Sequence, residues 1–283
     1  MTWWRSTWGA VRQALAAALE LVLPSSCAAC HLVATGSLCG ACRAGVRRAS
    51  RGVGPAGPRP PPPAMPPCWA GARFEGAVGL AVTAYKDEGR RDLRDELALL
   101  LAAALTRAVA DPALRHRMAL GEQVLVVPVP TARASRRRRG DDPVAALARA
   151  ATAATGAVPA ALAVQQARGR DSRRGRSSSG LVVVPALVHT RRVADQAHLD
   201  RRARAGNLAG SMVVGAAWRR VVQGATCVVV DDVVTTGATL AEAARALHAA
   251  GARDVVAATC ATTPRRTPDP HLWPLWPQTS VNA

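Results

Sequence analysis

The chain has 283 residues, room for one medium-sized domain with a small appendage and too many for a minimal scaffold. Lys+Arg 37 against Asp+Glu 19 gives a formal net charge of +18, which argues against anionic partners being repelled and favours nucleic acid or phosphorylated ligands through a salt-sensitive attraction. The cysteines number seven and include two Cys-x-x-Cys pairs, which weighs against a disulfide framework and towards metal binding in a reducing, cytoplasmic setting.

The stretch from Trp3 to Leu23 is expected to form an amphipathic helix packed on its own protein. Arg12, Gln13 and Glu20 interrupt its apolar run well short of a membrane span, and no small-residue cleavage site stands ahead of the cysteines. Cys27 and Cys30 form one tight knuckle and Cys39 and Cys42 another, with eight residues between the pairs. Four thiolates so spaced close the shell of one tetrahedral ion, so structural Zn²⁺ is the natural occupant and no position is left for a substrate. His31 follows a ligand directly and is a competing donor or an outer neighbour. Redox activity is the other reading of such pairs, but neither lies beside a thioredoxin-like strand and helix pattern. From Arg47 to about Pro67 the chain is rich in Arg, Gly and Pro and reads as a semi-rigid spacer of polyproline character. Cys68 follows alone, as a small buried residue.

The main domain is expected to open near Ala70, with a strand or turn around Ala77 to Thr83 and then Tyr85, Lys86 and Gly89. Leu93, Leu97, Leu100, Leu101 and Leu105 mark a long amphipathic helix, and Val124 to Val129 a buried strand closing on Pro128-Val129-Pro130. Thr131, Ala132 and Arg133 form a turn at that strand's end, followed by the arginine run Arg136 to Arg139, a solvated face or a phosphate or nucleic-acid contact. A helix from about Pro143 to Thr155, a Ser/Arg/Gly-rich insertion from Arg168 to Gly180 and a strand from Leu181 to Val188 come next. Arg191 to Asn207 is polar with little periodicity. Val221 to Asp232, Ala238 to Ala250 and Asp254 to Cys260 then read as strand, helix and strand, an alternation that calls for a parallel sheet with its ligand site at the strand ends. The organisation is therefore α/β: 1–45 helix and cysteine ribbon, 46–69 linker, 70–264 main domain, 265–283 irregular tail.

The most informative run is Cys227 to Leu240. A β-branched strand ends in Asp231 and Asp232, and a loop of Thr235, Thr236, Gly237, Ala238 and Thr239 opens a helix. Unpaired N–H groups at a helix N-terminus favour an anion, and small residues let a phosphate approach closely. Carboxylates only accept hydrogen bonds, so the acid pair suits a diol or a hydrated divalent metal. A sugar phosphate satisfies both halves; the plainer alternative is a buried strand with a polar loop.

The run Val228 to Thr239 resembles the phosphoribosyl-diphosphate (PRPP) loop of type I phosphoribosyltransferases. That resemblance implies Asp231 and Asp232 as ribose ligands, Thr235 to Thr239 as the 5′-phosphate cradle, and a parallel sheet flanked by helices. Across nearly its whole length the chain resembles the ComF family, phosphoribosyltransferase-like proteins linked to competence for DNA uptake. The cues are the Leu-Pro before the knuckles, Tyr85-Lys86 with Gly89, Pro128-Val129-Pro130, Arg139-Gly140, and the array of Gln196, Leu199, Arg204 and Asn207. The chain departs from the family in carrying one pair of knuckles, hence one zinc ion, in reading Arg139-Gly140-Asp141-Asp142-Pro143 where Arg-Gly-Phe-Asn-Gln is usual, and in the Arg168 to Gly180 insertion.

The resemblance implies binding of PRPP with Mg²⁺, with Thr131, Ala132, Arg133 and Arg139 near the diphosphate, and a part in handling incoming single-stranded DNA alongside the uptake machinery. Two other functions stand beside it. One is an active phosphoribosyltransferase of nucleotide salvage or amidophosphoribosyl transfer, whose acceptor site would come from residues 71–120. The other is a DNA-binding adaptor without catalysis, which fits the arginines and the zinc ribbon; since single-strand grooves use aromatic stacking, the single Phe and single Tyr count mildly against strong stacking outside the tryptophans.

Overall fold

The computed structural model describes residues 26–58, 60–110, 112–131, 142–155, 180–190 and 210–263. In chain order its helices and strands are α1 (Gly40–Ala49), β1 (Gly54–Pro55), β2 (Cys68–Arg73), α2 (Gly76–Lys86), α3 (Arg94–Ala108), α4 (Pro112–Ala119) and β3 (Val124–Pro128). They continue with α5 (Pro143–Ala154), β4 (Leu181–Val183), β5 (Leu187–His189), β6 (Met212–Val214), α6 (Arg219–Val222), β7 (Thr226–Val234), α7 (Ala238–Ala249) and β8 (Asp254–Thr262).

Six strands form one sheet in the order β1-β2-β8-β7-β3-β4. Every pairing is parallel except β1 with β2 at the edge. Val124 to Pro128 and Thr226 to Val230 are buried at every position, as strands covered on both faces must be. On one face α2, α3 and α5 share a core with the cysteine knuckles, including Leu97, Leu101, Leu147, Val228 and Val230. On the other, α7 packs Leu240, Ala243 and Leu247 against Cys227 and Val229, beside the small antiparallel pair β5-β6.

β3 leads to its neighbour β4 through α5 on one face, whereas β7 leads to β8 through α7 on the other. The winding therefore reverses between β3 and β7, and the crevice beyond their carboxyl ends is where a sheet of this kind takes its ligand.

Four local readings change. The stretch from Ala77 to Thr83 is helical, within α2, with Val78, Ala81, Val82 and Tyr85 buried on one stripe. Its Val and Thr content pointed to a strand, but the spacing of the buried residues is that of a helix. Leu181 to Val188 divides at Val184-Pro185-Ala186, so β4 joins the main sheet and β5 the small one. Residues 219–222 form the short α6, and Gly224, at φ 72°, turns the chain into β7 only at Thr226. β2, an Ala- and Gly-rich strand of low β propensity, begins at Cys68, directly after the prolines.

The proline-rich segment is folded against the domain. β1 lies on β2, Ala56 N–H donates to Cys68 O at 2.8 Å, and Ala257 N–H donates to Pro67 O at 2.8 Å. Among the described residues no helix is long and apolar enough to cross a membrane. The helix expected from Trp3 to Leu23, the insertion as far as residue 179 and the tail beyond 264 lie outside the described residues.

Candidate functional site

β7 carries Asp231 and Asp232 one step past the level at which β3 stops, since Pro128 pairs with Val230. β8 continues alongside, Asp231 opposite Thr259 and Val233 opposite Ala261. Between these pairs the acids satisfy local amides: Asp231 Oδ1 accepts from Asp232 N–H at 2.9 Å, and Asp232 Oδ1 accepts from Val233 N–H at 2.7 Å. The strand ends at Val234, so the acids lie within its last four residues.

The Thr235-Thr236-Gly237 turn then opens α7. Gly237 sits at φ 75°, ψ −2°, a left-handed conformation that a side chain would strain. Ala238 N–H reaches Thr236 Oγ1 at 3.4 Å. Thr235 is exposed, Thr236, Ala238 and Thr239 are partly exposed, and Gly237 is buried. The hydroxyls and the first amides of a twelve-residue helix thus converge on one turn.

Lys86 reaches the same place from the last turn of α2. Its Nζ lies 3.2 Å from Asp232 Oδ2 and 3.4 Å from Oδ1. Burial works against the lysine's charge, but the fields of Asp232 and Asp231 outweigh it and hold its pKa above the usual value. Burial first, and then the charge of Asp232, push the Asp231 carboxyl up to about 8, against the opposing pull of Lys86. The buried Tyr85 hydroxyl donates to Pro143 O at 2.9 Å, fixing the end of α2 to the start of α5.

Across the crevice Thr131 follows β3, and its hydroxyl donates to Asp142 Oδ1 at 3.1 Å. The same oxygen accepts from Ala145 N–H at 3.1 Å, so Asp142 is the N-cap of α5 with Pro143 in the first turn. The sequence alone marked Asp142 only as a departure from a pattern, although an Asp-Pro step before an alanine-rich stretch is a helix-start signal. Ala132, Arg133, Arg139, Gln196, Arg204 and Asn207, like the rest of the Arg136 to Arg139 run, lie outside the described residues.

The knuckles bring Cys27, Cys30, Cys39 and Cys42 together, all four sulfurs within 4.8 Å of one another. Cys30 Sγ and Cys39 Sγ are 3.6 Å apart. Four sulfurs at about 2.3 Å from a central ion span that distance, so the set fits structural zinc. The four thiols act on one another. At Cys27 burial is outweighed by backbone hydrogen bonds, which lower it, and a backbone hydrogen bond with the neighbouring thiols lowers Cys39. Burial and the neighbouring thiols raise Cys42, and at Cys30 a backbone hydrogen bond is outweighed by the same two causes. It is therefore their clustering that marks them as one ligand set. Burial pushes the lone thiols of Cys68 and Cys227 up to about 12, away from any neighbouring thiol.

Residues 123–275, more than half of the chain, match the family model described as Phosphoribosyl transferase domain, and the chain belongs to that family. The matched stretch contains β3, β7, α7 and the turn between them. The search of curated proteins finds no match at the threshold applied.

Proposed function

We propose that the protein binds PRPP, or a closely related phosphoribosyl ligand, at the carboxyl ends of β3 and β7. Asp231 and Asp232 accept hydrogen bonds from the ribose hydroxyls, and Thr235, Thr236, Gly237, Ala238 and Thr239 cradle the 5′-phosphate. Thr131, with Ala132, Arg133 and Arg139, borders the diphosphate, while Lys86 sets the charge of the acid pair. Mg²⁺ accompanies the ligand and neutralises diphosphate oxygens. One observation carries this reading: a paired carboxylate with a lysine 3.2 Å away stands directly before a helix-opening turn whose glycine is left-handed.

Within that class the sequence cues support a ComF-type protein, with a zinc ribbon, a cytoplasmic setting and a part in handling single-stranded DNA during uptake. If turnover occurs, an acceptor displaces pyrophosphate at the anomeric carbon, and the protein contributes mainly position and charge. An active enzyme of salvage or amidophosphoribosyl transfer is the alternative within the same site. Calorimetric titration of the purified chain with PRPP and Mg²⁺, followed by a search for pyrophosphate release with candidate acceptors, separates these outcomes. Binding without release supports the ComF-type reading, release with a defined acceptor supports the enzyme, and no binding sinks both.

A DNA-binding adaptor is favoured by a separate observation. A cleft of about 580 Å³ between β6, α6 and the end of α7 is lined by apolar residues that include Val213 and Ala249, by Arg219, Arg220 and Gln223, and by Arg245, which is paired with Glu242 at 2.7 Å. Each single-strand phosphate neutralised contributes about −0.7 to the slope of log affinity against log salt. Replacing Arg219 and Arg220 by Gln is expected to flatten that slope by roughly 1.4 if both arginines hold phosphates. An unchanged slope removes the cleft from the DNA path.

A further inference from the structure

The proline-rich run ends on the phosphate turn. Met65 N–H donates to Pro62 O at 3.1 Å, closing a tight turn that presents the Met65 side chain to the domain. The run is pinned on either side, by β1 against β2 before it and by the Pro67 carbonyl on β8 after it. Met65 packs against the core on the α7 face. A Cβ placed on Gly237 would overlap Met65 Sδ and lie 3.2 Å from its Cε and 3.3 Å from Pro62 Cγ. A Cβ on Gly57 would lie 2.7 Å from the same Met65 methyl. The thioether is thus held between two glycines, and one of them is the N-cap of α7.

We propose that residues 60–67 form an intramolecular strap in which Met65, backed by Pro62, is a positioning residue for the 5′-phosphate turn at Gly237; this rests on the phosphoribosyl reading of that turn. The chemistry suits the task. A turn that must order itself around a phosphate loses affinity to that ordering, and a neighbour that holds it in place beforehand removes the loss. Methionine adapts to an irregular gap and presents a polarisable sulfur where no side chain on Gly237 could fit. Gly237 therefore meets two demands at once, a left-handed φ and the space the strap occupies.

The test is titration calorimetry of the zinc-loaded full chain with ribose 5-phosphate and, separately, with magnesium pyrophosphate. Met65→Ala is expected to weaken ribose 5-phosphate about tenfold and leave magnesium pyrophosphate unchanged, with Met65→Leu returning to within about twofold of wild type. Met65→Val, which keeps an apolar side chain in the turn but shortens it so that no thioether reaches Gly237, should weaken ribose 5-phosphate in the same way, and keeps the test open should Met65→Ala fail to fold. Unchanged ribose 5-phosphate affinity in the folded variants overturns the strap. So does an equal loss for both ligands that leucine does not restore, which marks general loosening. Wild type that does not bind ribose 5-phosphate at all overturns the reading of the turn itself, a different result from variants that bind as wild type does.

Discussion

Asp231 and Asp232 are neighbours in sequence, yet their surroundings differ. Asp232 faces the Lys86 ammonium at 3.2 Å, whereas Asp231, opposite Thr259 on β8, is pushed by desolvation and by the charge of Asp232 to keep its proton up to about 8. In the unfolded chain that carboxyl ionises in the usual range, near 4. Between the two values the folded state binds more protons than the unfolded one, so Asp231 makes stability fall as pH rises, and its penalty is complete above about 8. Asp231→Asn removes the titration. Urea denaturation at pH 5 and pH 8 should show a smaller loss of stability on raising pH in the variant than in wild type. An identical loss in both would mean that Asp231 ionises normally. The same proton bears on function, because a protonated acid is a poorer acceptor for ribose hydroxyls, and ligand affinity should rise with pH through that window.

At the scale of elements, the junction of α3 with β2 is as demanding as any in the fold. Gly71 is buried on β2, and a Cβ there would overlap the Leu100 carbonyl of α3. Gly71→Ala therefore forces helix and sheet apart and is expected to cost about 1–3 kcal/mol, read as a shift in denaturation midpoint. A neutral substitution would show that α3 does not approach the sheet so closely. Neither this contact nor β2 itself was legible in the sequence. Ala70, Gly71 and Ala72 carry little strand propensity and Trp69 alone does not mark a strand, while closeness of packing selects small residues without announcing why. α3, β3, α7, β8 and the body of β7 were legible, because their apolar periods or β-branched runs are long, with Pro128 closing β3 and Gly251 following α7. The ends of β7 were not, since it begins later than expected and runs on past its acids to Val234. α2 was not: Val78, Val82 and Thr83 favour strand locally, and only packing on α3 and the knuckles selects helix. In the site, the acid pair and the threonine turn were legible as chemistry, while the arrival of Lys86 and the cap made by Asp142 depend on how α2 and α5 meet, which Tyr85 and Pro143 settle in three dimensions.

For the whole molecule, the cysteine knuckles and the main domain share one core. Cys27, Ala28, Ala29, Leu38 and Val46 pack with α2 and α3, Arg43 Nε pairs with Glu96 Oε1 at 2.6 Å, and Arg90 donates to Ser26 O at 3.2 Å. Removing the ion from such a ribbon takes binding free energy directly out of folding. Chelation of zinc-loaded protein, or Cys39→Ser, is expected to lower the unfolding temperature of the main domain together with that of the ribbon, in one transition. Two separate transitions, with the later one unmoved, would show the ribbon to be energetically independent. Elemental analysis of reduced protein should find one zinc per chain.

Asp231, Asp232 and the turn that follows them are the parts of the molecule whose assignment to a phosphoribosyl ligand matters most. The direct measurement is calorimetric titration of PRPP with Mg²⁺ into wild type and into Asp231→Asn/Asp232→Asn, with circular dichroism and zinc content confirming that both are folded. With the titration run above pH 8, where the Asp231 carboxyl is ionised, amides of the same shape remove hydrogen bonds to charged groups, each worth about 1.5–3 kcal/mol, so a loss of at least about 100-fold is expected from the pair. Saturable binding in wild type that disappears in the folded double variant is the predicted result; binding that persists in the double variant with undiminished affinity contradicts it.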